Sequence, residues 1–143
     1  MYVVLDTCVL LRALGNGDYK EVTERILSKC DIVASSKDAL DECKGKVHRH
    51  GMTLLILQIE LQKLEKPGKL KIIQWSKLKD ITIRKKPADK DDEKFLVVAA
   101  AAGAKCIITT DKGLLDLDPY EHDQTQIRVL RPEAYLGCEL QMY

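Results

Sequence analysis

The chain has 143 residues, of which 45% are apolar and 31% charged, with a formal net charge of +1. That length accommodates one domain with a sizeable core, residues 1–143, and is short for two. No apolar stretch is long enough to span a bilayer, and the first residues form a strand pattern ending in Asp6 instead of a basic, apolar signal segment. A soluble, cytoplasmic protein with no membrane partner is therefore expected.

In chain order, YVVL at 2–5 predicts a short buried strand, and a helical stretch near 18–29 leads to a second strand, DIVASS at 31–36, giving a βαβ opening. Ser36 predicts the N-cap of a helix from Asp38 to Val47. A longer helix from about Thr53 to Leu64 follows and is stopped by Pro67-Gly68, the pair forming a hairpin around Gly51. The run LLILQIEL at 54–61 reads more simply as core, and otherwise as a self-association surface. Residues 70–75 and 80–84 are weaker strand or loop candidates. Asp92 or a neighbour then caps a helix through Phe95 and the alanines to Ala102, ended by Gly103, and a strand at 106–110 follows directly. A last β-run, Ile127–Leu130, precedes a short helix with Pro132 at its first position. Strands alternating with helices imply an α/β fold around a parallel sheet, in which functional groups collect beyond the carboxyl ends of the strands.

Four acidic patches fall at those ends: Asp6 after YVVL, Glu42 in DALDEC, Asp91-Asp92-Glu93 opening the alanine-rich helix, and Asp111 after CIITT. Any one of them alone reads as a cap or strand-end residue. Packed together they raise one another's pKa, an arrangement that calls for a neutralising cation. A hard, oxygen-seeking ion, Mg²⁺ or Mn²⁺, suits such a pocket. The cysteines Cys8, Cys30, Cys43, Cys106 and Cys138 show no CxxC spacing, which argues against a zinc or disulfide framework, and Cys8 reads as buried. His48-Arg49-His50 lacks an HxxxH spacing and reads as a surface turn, and His122 as part of a polar, solvent-facing loop.

The small net charge hides an asymmetry. Residues 63–90 carry ten Lys or Arg against Glu65, Asp80 and Asp89, a net +7 that leaves −6 for the rest. This segment, with Lys77, Lys79, Arg84, Lys85 and Lys86, is a candidate nucleic-acid face or simply a solvated surface. Trp75 within it reads as core, with stacking on a base as the alternative.

VVLDTCVLL at 3–11, SKDALDEC at 36–43, DDEKFLVVAAAAGAKCIITTDKGLLDL at 91–117 and VLRPEAYL at 129–136 together resemble a PIN domain, and the resemblance covers nearly the whole chain. It implies a compact, Rossmann-related three-layer α/β/α sandwich with a central parallel sheet. It also implies a Mg²⁺- or Mn²⁺-dependent ribonuclease that hydrolyses phosphodiester bonds of single-stranded RNA endonucleolytically. Carried over residue by residue, the catalytic and metal-binding acids fall on Asp6, Glu42, Asp92 or Glu93, and Asp111, with Thr109 or Thr110 in a supporting polar role. Glu93 stands at the family's usual spacing, eighteen residues before Asp111, whereas Asp92 is the better helix cap. Gly113 departs from the many family members that carry a further acid there. Implied partners are RNA, a second copy in a homodimer and, for the toxin of a toxin–antitoxin pair, an antitoxin protein. The alternative is a catalytically weak or inactive RNA-binding or assembly module of the same fold.

Overall fold

The computed structural model describes residues 1–141, with side chains through residue 137, so Tyr143 and the side chain of Cys138 lie outside the described residues. Six strands, β1 (Tyr2–Leu5), β2 (Ile32–Ser35), β3 (Leu70–Ile72), β4 (Cys106–Ile108), β5 (Tyr120–His122) and β6 (Thr125–Leu130), form one sheet in the order β3-β2-β1-β4-β6-β5. Every pair is parallel except β5 on β6. The register aligns Val3 with Val33 and Cys106, and Val4 with Ile107, which in turn faces Val129.

Because side chains alternate along a strand, each row of this sheet feeds a different face. Val3, Leu5, Val33, Cys106 and Ile108 enter a core shared with α1 (Thr7–Ala13), α2 (Lys20–Ser28), α3 (Lys37–Lys46), α4 (Leu54–Glu65) and Tyr135 of α8 (Pro132–Gln141). Val4, Ala34, Ile107 and Val129 enter a second core with Phe95, Leu96, Val98 and Ala99 of α6 (Glu93–Ala102) and Leu114 of α7 (Lys112–Leu115). The result is the expected α/β/α sandwich, whose central strands are apolar on both sides as a covered parallel sheet requires. The single turn α5 (Trp75–Leu78) completes the elements, and no helix among the described residues is long and apolar enough to cross a membrane.

Several expectations need correction. A helix that was not expected, α1, begins at once after Asp6, while α2 falls within the predicted stretch near 18–29. Of the strand or loop candidates, 70–72 is strand β3 and 80–84 is loop, but Trp75 opens a helical turn over 75–78. The loop around His122 is a hairpin, β5 and β6 joined through Asp123 and Gln124, both at positive φ (46° and 69°), and His122 is half-buried beside Asp123. Trp75 is not core: it is 73% exposed. The run at 54–61 is likewise mostly outside the core, since α4 buries Leu57 while Leu54, Leu55, Ile56 and Ile59 are exposed.

Candidate active site

The chain order reverses between β1 and β4, neighbours in the sheet although β2 and β3 intervene in sequence, and in such folds ligand sites form beyond the strand ends at that point. Asp6 leaves β1 there and Thr109, Thr110 and Asp111 leave β4. The two exits are tied together. The Asp6 backbone N–H donates to Ile108 O at 3.1 Å, the Thr109 hydroxyl donates to Asp6 Oδ2, and the same hydroxyl oxygen accepts from the Asp111 N–H at 2.9 Å. Thr109 is wholly buried, so it acts as a fixed strut between the two aspartates.

Each aspartate also starts a helix. Asp6 Oδ1 accepts from Val9 N–H at 2.8 Å to cap α1, and Asp111 Oδ2 accepts from Leu114 N–H at 3.0 Å to cap α7. A helix N-terminus supports negative charge, which offsets part of the cost of placing these groups side by side. Asp6 remains 6% exposed, and burial pushes its carboxyl above the ordinary carboxylate range against the Thr109 and Val9 hydrogen bonds, with Asp111 and Glu42 adding to the rise.

Asp92 ends a 3-10 turn (Lys90–Asp92) immediately before α6. It occupies the expected cap position, but its side chain makes no capping bond; Asp89 caps the turn, accepting from Asp91 N–H at 2.9 Å. The Asp92 carboxyl instead faces the pocket, where burial and then the charges of Asp111, Asp89 and Asp6 push its pKa up to about 7. Glu42, on α3, sits at the same pocket but is held by cations, Lys94 Nζ and, at 3.0 Å, Lys46 Nζ. Burial alone would raise Glu42, yet these two lysines hold it below the usual range.

The pocket has a volume of about 440 Å³, and Asp6, Glu42, Asp92, Thr110 and Asp111 all line it. Glu93 does not. It turns to Lys86, 3.8 Å away, and lines a neighbouring groove with the exposed Asp91. Lys77, Lys79, Arg84, Lys85 and Lys86 are all exposed and outside the pocket wall. Gly113 has a steric reason: a Cβ there would lie 3.1 Å from Asp111 Oδ2 and 3.3 Å from the Ala88 methyl, so a larger residue would crowd the carboxylate.

Sequence reasoning missed several wall residues. Cys8 is half-buried at the rim instead of buried, and Arg49 and His50 line the pocket instead of a remote surface turn. The Lys46 contact was available as an i,i+4 partner of Glu42, whereas Lys94, 52 residues from Glu42, carries no such signal. Among the described residues no three acidic, histidine or cysteine side chains converge as ligands in their present rotamers. The donor set nevertheless fits a hard divalent cation. Its groups are oxygens, and Asp6 and Asp92 are both raised by burial and by neighbouring carboxylates, with no cation beside either among the described residues to offset them, while Lys46 and Lys94 are engaged by Glu42.

The profile of the PIN domain matches residues 2–113, from β1 into α7, and so includes Asp6, Glu42, Asp92, Glu93 and Asp111. In three dimensions the chain is similar to VapBC2 from Rickettsia felis, solved bound to a DNA fragment from the VapBC2 promoter, with a TM-score of 0.52 and 17% sequence identity over 90% of this chain and 98% of that one. At that identity the likeness speaks for the fold. No curated protein matches the chain in sequence. PIN domains are generally nucleases, and with most of its length matched, this chain belongs to the PIN domain family.

Proposed function

We propose that the protein is a metal-dependent endoribonuclease acting on single-stranded RNA. The observation that carries this reading is the mutual repulsion of Asp6, Asp92 and Asp111 across one pocket at the reversal point of the sheet. Asp6, Asp92 and Asp111, with Glu42 at the edge, are the residues to hold one or two Mg²⁺ or Mn²⁺ ions, which would supply water activation and neutralise charge on the phosphate. Thr109 fixes the relative position of Asp6 and Asp111. Lys46 and Lys94 balance Glu42 when its charge is not otherwise met, so Glu42 is the adjustable member of the set and Asp6 the fixed one.

Exposed Lys77, Lys79, Arg84, Lys85 and Lys86 lie on the segment that raises local positive charge and would attract the RNA backbone. We assign the exposed apolar residues of α4 to contact with a second copy of this chain, and an antitoxin protein is the further partner if the chain serves as the toxin of a toxin–antitoxin pair; a small gene encoded next to it would support that role. The second reading, a binding or assembly module without efficient catalysis, is favoured by one observation: the absence of three converging ligands among the described residues.

The test is cleavage of an internally labelled circular single-stranded RNA with Mg²⁺, Mn²⁺ or EDTA, with Asp6→Asn prepared in parallel. Asparagine keeps an oxygen for the Val9 N–H, so the variant folds. Metal-dependent opening of the circle that falls at least ~10²-fold in Asp6→Asn is expected. Cleavage by Asp6→Asn at the wild-type rate would sink the assignment, and binding that ignores EDTA without any cleavage would support the second reading.

A further inference from the structure

Beside the carboxylate pocket lies a larger groove of about 840 Å³. Trp75 stands on its rim with 73% of its surface exposed, and the apolar floor is made by Ile73, Leu78, Val97 and Val98. An indole left this exposed loses the burial that normally holds Trp in a fold, and the Trp75 side chain shows no hydrogen bond and no cation over its ring among the described residues. Lys79 and Lys90 line the same groove and make no ion pair among the described residues. Several other charges of the groove are already matched: Asp41 with Lys37 and Lys44, Glu93 with Lys86, and Lys94 with Glu42.

The groove and the carboxylate pocket share a wall. Lys90, Asp91, Glu93 and Lys94 face the groove, Asp92 in their midst faces the pocket, and Lys94 reaches from the groove to Glu42 at the pocket edge. A ligand that extends across this wall has a flat face to stack on Trp75 and negative charge for Lys79 and Lys90. A single nucleic-acid strand has both, with bases free to stack, whereas a duplex offers its bases only edge-on.

We propose that this groove is the substrate-strand subsite, in which an unpaired base of single-stranded RNA stacks on Trp75 while Lys79 and Lys90 hold the flanking phosphates. The proposal rests on the nuclease reading of the neighbouring pocket and adds the part of the substrate that it engages. Asp38 and Asp91 also line the groove, so stacking, more than backbone attraction, carries the affinity. With two phosphate contacts the slope of log K against log salt is about −1.4, and Lys79→Ala reduces it by about 0.7.

Trp75 is the only tryptophan in the chain, so its fluorescence reports this groove alone. The experiment titrates the wild-type protein, in EDTA to prevent cleavage, with a short single-stranded oligoribonucleotide, and measures the same binding by anisotropy for Trp75→Ala and Trp75→Phe. Saturable quenching is expected, with binding weakened roughly 5- to 150-fold in Trp75→Ala, the equivalent of ~1–3 kcal/mol per stacked base, and largely restored in Trp75→Phe. The exposed position of Trp75 means these variants keep the fold. Unchanged fluorescence at saturating RNA, equal quenching by double-stranded RNA or heparin, or a Trp75→Ala affinity within twofold of wild type would overturn the proposal. The two readings fail separately. Metal-dependent cleavage with an unchanged KM in Trp75→Ala removes the subsite and leaves the nuclease, while quenching by a protein that does not cut removes the nuclease and leaves a strand-binding groove.

Discussion

At the end of the sheet opposite the carboxylate pocket, Asp31 precedes β2 with 4% of its surface exposed. Its Oδ1 lies 2.8 Å from Lys105 Nζ at the approach to β4, and its Oδ2 accepts from the Tyr135 hydroxyl of α8 at 2.6 Å. Arg25 of α2 adds a fourth element, donating to Tyr135 O at 2.5 Å with its guanidinium 4.5 Å from the ring centroid. One carboxylate thus fastens the last helix to the sheet. Asp31→Ala leaves a buried phenol and an ammonium unpaired, a change that costs ~3–5 kcal/mol, and the 26% exposure of Lys105 puts it at the lower end. Tyr135→Phe removes one hydrogen bond to a charged acceptor and costs ~1.5–3 kcal/mol. For a chain of 143 residues the unfolding entropy is ~0.3 kcal/mol/K, so Asp31→Ala lowers Tm by ~10 °C.

The same carboxylate makes stability depend on pH. Burial alone would raise its pKa, but Lys105 and Tyr135 outweigh it and hold Asp31 below the ordinary range. A depressed carboxylate contributes its full stabilisation above the unfolded value of about 3.9, and loses it as pH falls through the lower folded value. Urea unfolding followed by far-UV circular dichroism at pH 7 and pH 3 measures both effects. Wild type loses part of this contribution between pH 7 and pH 3, whereas Asp31→Asn has little of it to lose. Asp31→Ala within ~0.5 kcal/mol of wild type at pH 7 would refute the role given to this network.

Four further outcomes are expected. Ile107→Ala, at a wholly buried position between β1 and β6, lowers the urea-unfolding free energy by ~3–5 kcal/mol, against ~1 kcal/mol for Ile107→Val. Gly45→Ala, with open space around the added methyl on exposed α3, stabilises by ~0.5–1 kcal/mol in the same assay, while Gly17→Ala destabilises because its Cβ would lie 1.9 Å from Arg12 O. Asp92 is raised to about 7, so in EDTA its unfavourable ionisation removes stability as pH rises toward and through 7; Tm falls from pH 5.5 to pH 8, Asp92→Asn flattens that fall, and Mg²⁺ raises Tm more at pH 8. Leu55→Glu, on the exposed face of α4, abolishes self-association in sedimentation velocity without changing the circular dichroism spectrum.

The parts of the fold that were legible in sequence are those whose pattern is local. Strands β1, β2 and β4 are short apolar runs ending in Asp, Ser or Thr, and Ser36, Thr53 and Gly103 mark helix ends by side-chain or backbone chemistry that depends on few neighbours. Helix α1 escaped because TCVLLRA is buried almost all round and so shows no polar stripe to set a period. The β5–β6 hairpin escaped because its two-residue turn, Asp123-Gln124, adopts the positive φ angles usually signalled by Asn-Gly. The exposure of Trp75 and of α4 depends on what fails to pack over them, which no local pattern encodes. At the candidate site the acids were visible individually, but the choice of pocket-facing side chain at 91–93 depends on how a 3-10 turn precedes α6, and the Lys94 contact to Glu42 on how α3 meets α6.

Both outer strands of the sheet, β3 and β5, are only three residues long, and they carry Lys71 and Glu121 outward into solvent. A border this short and charged gives an incoming β-strand little backbone to pair with, so the sheet is guarded against templated growth and edge-to-edge aggregation. Strand addition, a common means by which proteins capture extended peptides, is thereby disfavoured. Assembly of this protein with others is left to its helical flanks and to the open end of the sheet where the strands deliver their carboxylates.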